Sequence, residues 1–490
     1  MKTILTFDLG GSSMRLALFD MAGNMLDLTR QPLSMEMDSA GGCEADPEVW
    51  WLSFVRMAAE LLERNKGVSE ILAVCGSGMT RSQVFVDKIG TSVFQALLWP
   101  DHRSDREGEF IAKAAGPGRY WSEFNAFHTL ARVLWLKRHH PNVFDRVHRV
   151  LEPKDFLNYR LTGQMASDRI SLARILRESD LEPDRQLMGE IGISPDLFPE
   201  LKWPWQRIGH CRGLTGSLAL LNGAPVLAGA MDTWCSVTGT GVFENEIYNV
   251  SGTSEVTGLI TTEKLWRKGL VTLPWGEGRF QVGGPSQIGG DALQWLADLF
   301  IAEEPDGASA LADLAEGLPR SGDAPLFIPY LRGERAPLWD KQARGVFWNL
   351  NREHRRADLV RAVMEGVAMA NRYLLEILLE GQDFEGRVIL SGKAASSDLW
   401  CQIKADVLGL SVVRRKVAEA GLTGAFILAM KGTGNLSSLD EGRKKFAITD
   451  RTFVPDSYMV RHFNQLYPHW KAASLSLLAL HRDLQRIRCE

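Results

Sequence analysis

Two stretches of this chain share one pattern, and that pattern limits the fold more than any other feature. Residues 4–20 read "ILTFDLGGSSMRLALFD" and residues 246–260 read "EIYNVSGTSEVTGLI". Each is an apolar strand, a turn built from glycine and hydroxyl residues, and a second strand. The same device opening two halves of one chain points to an internal duplication. Helical periodicity predicts helices over 49–64, 129–140, 155–161, 291–300, 353–379, 397–408, 423–431 and 460–484. The first has Pro47 near its start and Gly67 after its end, which are start and stop signals. Strands are expected at 69–78, 83–87, 92–99 and 387–392, and 180–225 reads as irregular. Strands alternating with helices in both halves give an α/β class. The expected domains are 1–244 and 245–490.

The turns carry the chemistry. Successive backbone N–H groups in a Gly/Ser turn form a concavity that attracts anions such as phosphate. Asp8 cannot bind phosphate directly, but it can hold a Mg2+ ion that does. The alternative is a hairpin whose aspartate caps its own turn. "VLAGAMDTW" sets Asp232 at the end of a buried small-residue strand, where it either projects into a cleft or serves as the N-cap of the next helix. Trp234 beside it either stacks on a ligand or fills core. Other phosphate devices fail: "LSGKAAS" has Arg387 where a P-loop needs its first glycine and Ala394 after the lysine. "GSGMTR" has Arg81 where a dinucleotide fingerprint needs its third glycine.

Composition removes several classes. The formal net charge is -4 and the Lys and Arg residues form no long block, which argues against nucleic-acid binding. No apolar run nears the roughly 18 residues that span a membrane. No basic segment followed by an apolar one opens the chain, so no signal peptide is expected. Cys43, Cys75, Cys211, Cys235, Cys401 and Cys489 form no C-x-x-C pair, the usage of reduced thiols in a cytoplasmic protein.

Together the motifs resemble the FGGY carbohydrate kinases of the actin/hexokinase/sugar-kinase superfamily, in the xylulokinase-like branch. The resemblance runs over roughly 3–480 and rests on "FDLGGSSMR", "LEPKDFLNYRLTG", "VLAGAMDTW", "NVSGTSEV", "FIPYLRGERAPLWDKQARGVFWNL", "LSGKAASSDLWCQIKADVLGLSV" and "EAGLTGAFILA". It implies two ribonuclease-H-like (actin-like ATPase) domains around a central cleft, with ATP and Mg2+ as cofactors. By the same resemblance Asp232 is the general base and Asp8 lies near the metal. Gly10, Gly11, Ser12, Ser13 and Arg15 line the β- and γ-phosphates, and Gly252, Thr253 and Ser254 contact the γ side. Gly290 sits against the phosphates, while Gly392, Lys393 and Ala394 face the adenosine. Thr80, Arg81, Asp232 and Thr233 face the sugar. The implied reaction is phosphorylation of a small-sugar hydroxyl, on a ketopentose of the xylulose or ribulose kind or a related polyol. The alternatives are a sugar-acid kinase of the gluconate kind and a catalytically silent, nucleotide-gated binding or regulatory protein. The implied partner is a small molecule, with no nucleic acid and no membrane, and a homodimer is an allowed assembly.

The departures from the branch fall at the substrate. Met79-Thr80-Arg81-Ser82 stands where the branch carries Gln-Met-His-Gly, and Thr233 stands where it carries Asn. Lys393 replaces a glycine of the adenosine turn. Arg81 is read either as a structural ion-pair partner or as a cation that binds hydroxyls or a carboxylate through its planar fork.

Overall fold

The protein's structure, a computed structural model, describes residues 1–116, 124–301, 307–316, 320, 322–417 and 419–489, the side chains of 485, 486, 488 and 489 excepted. Two compact units divide the chain. Met1–Gly241, Leu273–Glu277 and Val417–Phe446 form the first; Val242–Thr272, Gly278–Lys416 and Ala447–Glu490 form the second. The sequence reading divides the chain once, after 244. The units instead exchange segments, because helix Ala420–Gly432 packs on helix Asp232–Gly239 within the first unit. Glycine permits that approach: a Cβ on Gly424 would lie 1.9 Å from the Cys235 carbonyl oxygen.

The first unit is built on six strands in the spatial order Arg207–His210, Pro225–Met231, Glu70–Gly78, Lys2–Leu9, Ser13–Asp20 and Met25–Pro32. The last three form an antiparallel meander, and Glu70–Gly78 joins Lys2–Leu9 in parallel. Seven of the eight residues of Lys2–Leu9 are buried, as expected for a central strand covered on both faces. Helix Pro47–Arg64 covers one face with Trp50, Phe54, Met57 and Leu61, and Phe54 meets Phe7 edge-on at 5.5 Å. Asp46 caps that helix by accepting from the Glu48 amide, worth about 1 kcal/mol.

The second unit repeats the plan on strands ordered Arg279–Pro285, Glu255–Thr261, Ile247–Ser251, Val388–Ser391, Val412–Arg415 and Thr449–Phe453. Its antiparallel meander also meets a parallel strand: Ile247–Ser251 pairs with Val388–Ser391. Helices Arg356–Leu379, Asp398–Leu408 and Ser457–Cys489 bury Val363, Val367, Ile403, Phe463 and Trp470 in one core.

Several elements differ from expectation. Residues 92–99 hold a strand of only two residues, Ala96–Leu97. Strand Met25–Pro32 has no sequence signal because it is a half-exposed edge with few β-formers. Helix Asp105–Ala115 and the strands Val271–Gly276 and Arg279–Pro285 are also unanticipated. Among the described residues no helix is long and apolar enough to cross a membrane. Five cysteines are free and buried, and the Cys489 side chain lies outside the described residues.

Candidate active site

Parallel pairing gathers the candidate residues of the first unit. Leu9 and Met231 are both register partners of Gly78, so three strands end together. Ligands of open α/β sheets bind at the carboxyl ends of such strands. Asp8, the 79–82 turn and Asp232 all leave the sheet there.

Asp8 is nearly buried, at 6% exposure. Its Oδ2 lies 3.3 Å from Nη1 of Arg15, its cross-strand neighbour, while its Oδ1 is buried with no hydrogen-bond partner. Burial raises the carboxyl above its usual range, and Arg15 opposes the shift. Arg15 also reaches Glu419 at 3.4 Å. It therefore bridges two carboxylates. At the hairpin tip Gly10 donates to the Ser13 carbonyl at 3.0 Å. Among the described residues the amides of Gly11 and Ser12 donate to no protein group, the open N–H pair of an anion nest.

Asp232 is the first residue of helix Asp232–Gly239, and Met231 is the N-cap. The N-cap alternative for Asp232 is thereby removed. Its Oδ1 accepts from the Thr233 amide at 2.6 Å and from the Thr233 hydroxyl at 3.3 Å. Oδ2 takes no hydrogen bond from any described residue, so one oxygen is held and the other is open. Burial and the nearby Asp8 charge push the carboxyl up to about 6, against the pull of Thr233 and Arg81. Trp234 is fully buried and donates to the Trp275 carbonyl at 3.1 Å, so it is core.

Arg81 has φ +57°, a left-handed conformation that costs a non-glycine residue on the order of 1 kcal/mol. Its guanidinium makes no hydrogen bond or ion pair with any described residue, yet it feels the charges of Asp232 and Glu152. The ion-pair reading of Arg81 therefore fails. Thr80 donates to the Ser171 carbonyl at 3.4 Å.

In the second unit, the tip Gly252–Ser254 joins paired residues Ser251 and Glu255. Its carbonyls cap helix Gly290–Phe300: Gly290 donates to Gly252 at 2.8 Å, and Asp291 to Thr253 at 3.1 Å. The Gly290 amide is thus already used, and a Cβ there would lie 2.9 Å from the Gly252 oxygen. The amides of Thr253 and Ser254 donate to no described residue, a second nest. Gly392 follows strand Val388–Ser391 at φ +88°, where a Cβ would meet the Ser251 oxygen at 2.3 Å. Lys393 is exposed and Ala394 is buried in core.

Residues 3–239 match the N-terminal domain, and 247–433 the C-terminal domain, of the FGGY family of carbohydrate kinases. The chain belongs to that family. This FGGY kinase is 26% identical to a xylulose kinase of Staphylococcus epidermidis over 501 residues, covering 99% of each chain. It is 25% identical to a gluconokinase of Bacillus licheniformis, over 95% of this chain and 94% of that one. A xylulose kinase structure from Lactobacillus acidophilus superposes with TM-score 0.89 at 22% identity, over 99% of this chain and 100% of that one. The fold is the two-domain, actin-like α/β architecture of FGGY sugar kinases, and the chain is a carbohydrate phosphotransferase.

The FGGY kinase also carries site-supporting residues that no short motif reveals. Glu255 and Lys404 are fully buried and joined at 2.8 Å beneath the second tip, with Asn249 and Asn371 bonded to both. Glu152, pushed up to about 8 by burial, lies behind the 79–82 turn. Among the described residues no cluster of three or more His, Cys, Asp or Glu side chains could hold a metal by itself.

Proposed function

We infer that the chain transfers the γ-phosphoryl group of ATP to a hydroxyl of a neutral ketopentose or related polyol, with Asp232 as general base. One observation carries the reading: Asp232 presents an open Oδ2 at the strand ends while Thr233 fixes its Oδ1. A carboxylate so held aligns an acceptor hydroxyl and takes its proton as the bond to phosphorus forms. A carboxyl shifted to about 6 is largely ionised at neutral pH yet basic enough to help. Phosphoryl transfer otherwise asks the protein for positioning and charge neutralisation. The nests at Gly11–Ser12 and Thr253–Ser254 serve the phosphates, each through its open amides. Gly10, Ser13 and Gly252 shape those turns. Arg15 acts through Asp8. Gly290 acts through the Gly252 carbonyl, and Gly392, Lys393 and Ala394 form the turn proposed for the adenosine.

Mg2+ fits the residues present. Mg2+ is commonly bound by one or two carboxylates together with substrate phosphates, and Asp8 offers a buried oxygen without a partner. The ion, when bound with ATP, neutralises charge on the phosphate oxygens. Arg15 opposes the rise that burial imposes on the Asp8 carboxyl.

Arg81, Thr80 and Thr233 are the proposed sugar contacts. A second reading, a sugar acid, is favoured by the unpaired Arg81 guanidinium, whose fork suits a carboxylate. ADP release measured over a panel of ketopentoses, polyols and sugar acids tests both. Asp232→Asn should keep ATP binding and lose nearly all transfer. Wild-type turnover by that variant would overturn its role, and no ADP release with any sugar would overturn the activity.

A further inference from the structure

Arg81 is held in its left-handed conformation by buried side chains that come from outside its own turn. Arg132, on helix Thr129–His139, is 0% exposed. Its Nη1 donates to the Arg81 carbonyl in a short bond and lies 3.3 Å from Gln83 Oε1. Its Nη2 donates to the carbonyls of Trp99 and Asp101, each at 2.8 Å. One planar fork thus ties the Arg81 turn to the 99–101 segment through three backbone carbonyls. Glu152, 2% exposed and N-cap of helix Pro153–Thr162, accepts from Gln83 Nε2 at 3.5 Å. Residues 81 and 83 are thus each held by one or both.

Arg132 has no ion-pair partner among the described residues. The nearby Asp101 is paired with Arg103 at 2.5 Å. The Arg132 charge is therefore spent on carbonyl dipoles and is felt by its neighbour Arg81. The two effects have opposite directions. The fork attracts the Arg81 carbonyl, while the like charge repels the Arg81 guanidinium, which is drawn toward Asp232 and Glu152.

The geometry points to Arg132 as the positioning residue for sugar selection: it fixes the Arg81 carbonyl, and with it the turn that carries the Arg81 side chain, through its fork. This rests on the reading of Arg81 as a sugar contact. Glu152 adds its contact with the Gln83 side chain.

Steady-state kinetics over the sugar panel test it with Arg132→Met, which removes fork and charge, and Arg132→Lys, which keeps the charge alone. Arg132→Lys also serves where Arg132→Met fails to fold. Both variants should raise the KM for the preferred sugar about tenfold or more, leave the KM for ATP within about twofold, and shift the panel preference as Arg81→Ala does. Arg81→Ala combined with Arg132→Lys should be no worse than Arg81→Ala alone, because residues acting through one another are not additive. Glu152→Gln, which keeps the acceptor, should retain more sugar affinity than Glu152→Ala. A folded Arg132 variant with unaltered sugar KM and preference, beside an altered Arg81→Ala, overturns the inference alone. An Arg81→Ala panel identical to wild type overturns the reading of Arg81 and the inference with it.

Discussion

Asp8 and Arg15 face each other across the first hairpin, 3.3 Å apart, and the contact satisfies only one oxygen of the aspartate. A buried carboxylate oxygen without a donor costs free energy unless a ligand supplies what the protein omits. Asp8→Asn should lower kcat about 100-fold or more and raise the Mg2+ concentration giving half-maximal rate. Magnesium titration at fixed ATP is the check, and an unchanged half-maximal concentration would remove Asp8 from the metal.

The Asp232 carboxyl predicts the acid limb of the rate profile. The base must be ionised, so kcat/KM should fall as pH drops through about 6. Arg81 stabilises the ionised form, so Arg81→Ala should move the limb to higher pH. A pH–rate profile of both proteins measures this. A limb that stays put, or moves down, contradicts the electrostatic contact.

The Glu255–Lys404 pair should matter to stability more by being broken than by being present. Lys404→Met strands a buried carboxylate and should cost about 3–5 kcal/mol. Glu255→Gln with Lys404→Met should recover part of that loss. Denaturant unfolding of the three variants checks the order. Surviving folded variants should show a raised KM for ATP, since Glu255 flanks the second tip and its carbonyl accepts from the Ser286 amide.

Gly424 tests the packing behind Asp232. Its missing Cβ would fall 1.9 Å from backbone oxygen, so no side chain can yield. Gly424→Ala should destabilise the protein by about 1–3 kcal/mol and reduce kcat by shifting the helix that begins with Asp232. Thermal unfolding and turnover of the same preparation decide it, and a native melting temperature would count against the tight contact.

What could be read beforehand depended on whether the partner was near in sequence. Both hairpins and the strand bearing Asp232 were legible because turn chemistry and apolar runs are local. Trp234 was open between ligand and core until Trp275 supplied its acceptor. Arg132 and Glu152 gave no signal, because their partner turn lies far from either in the chain. Lys404 looked like one more helical lysine, since its partner Glu255 is on a distant hairpin. Met25–Pro32 escaped because an edge strand facing water needs little apolar periodicity. The single division at 244 missed the return of Val417–Phe446, which rests on small residues that look like ordinary helix formers.

That return sets an order of events during synthesis. The first unit is not a self-sufficient N-terminal piece: its helix Asp232–Gly239 lacks its packing partner until Ala420–Gly432 exists. A ribosome must therefore make most of the second unit before the first can close its core. Fragments ending near residue 244 would emerge with an exposed seam, and so would any nascent chain paused there.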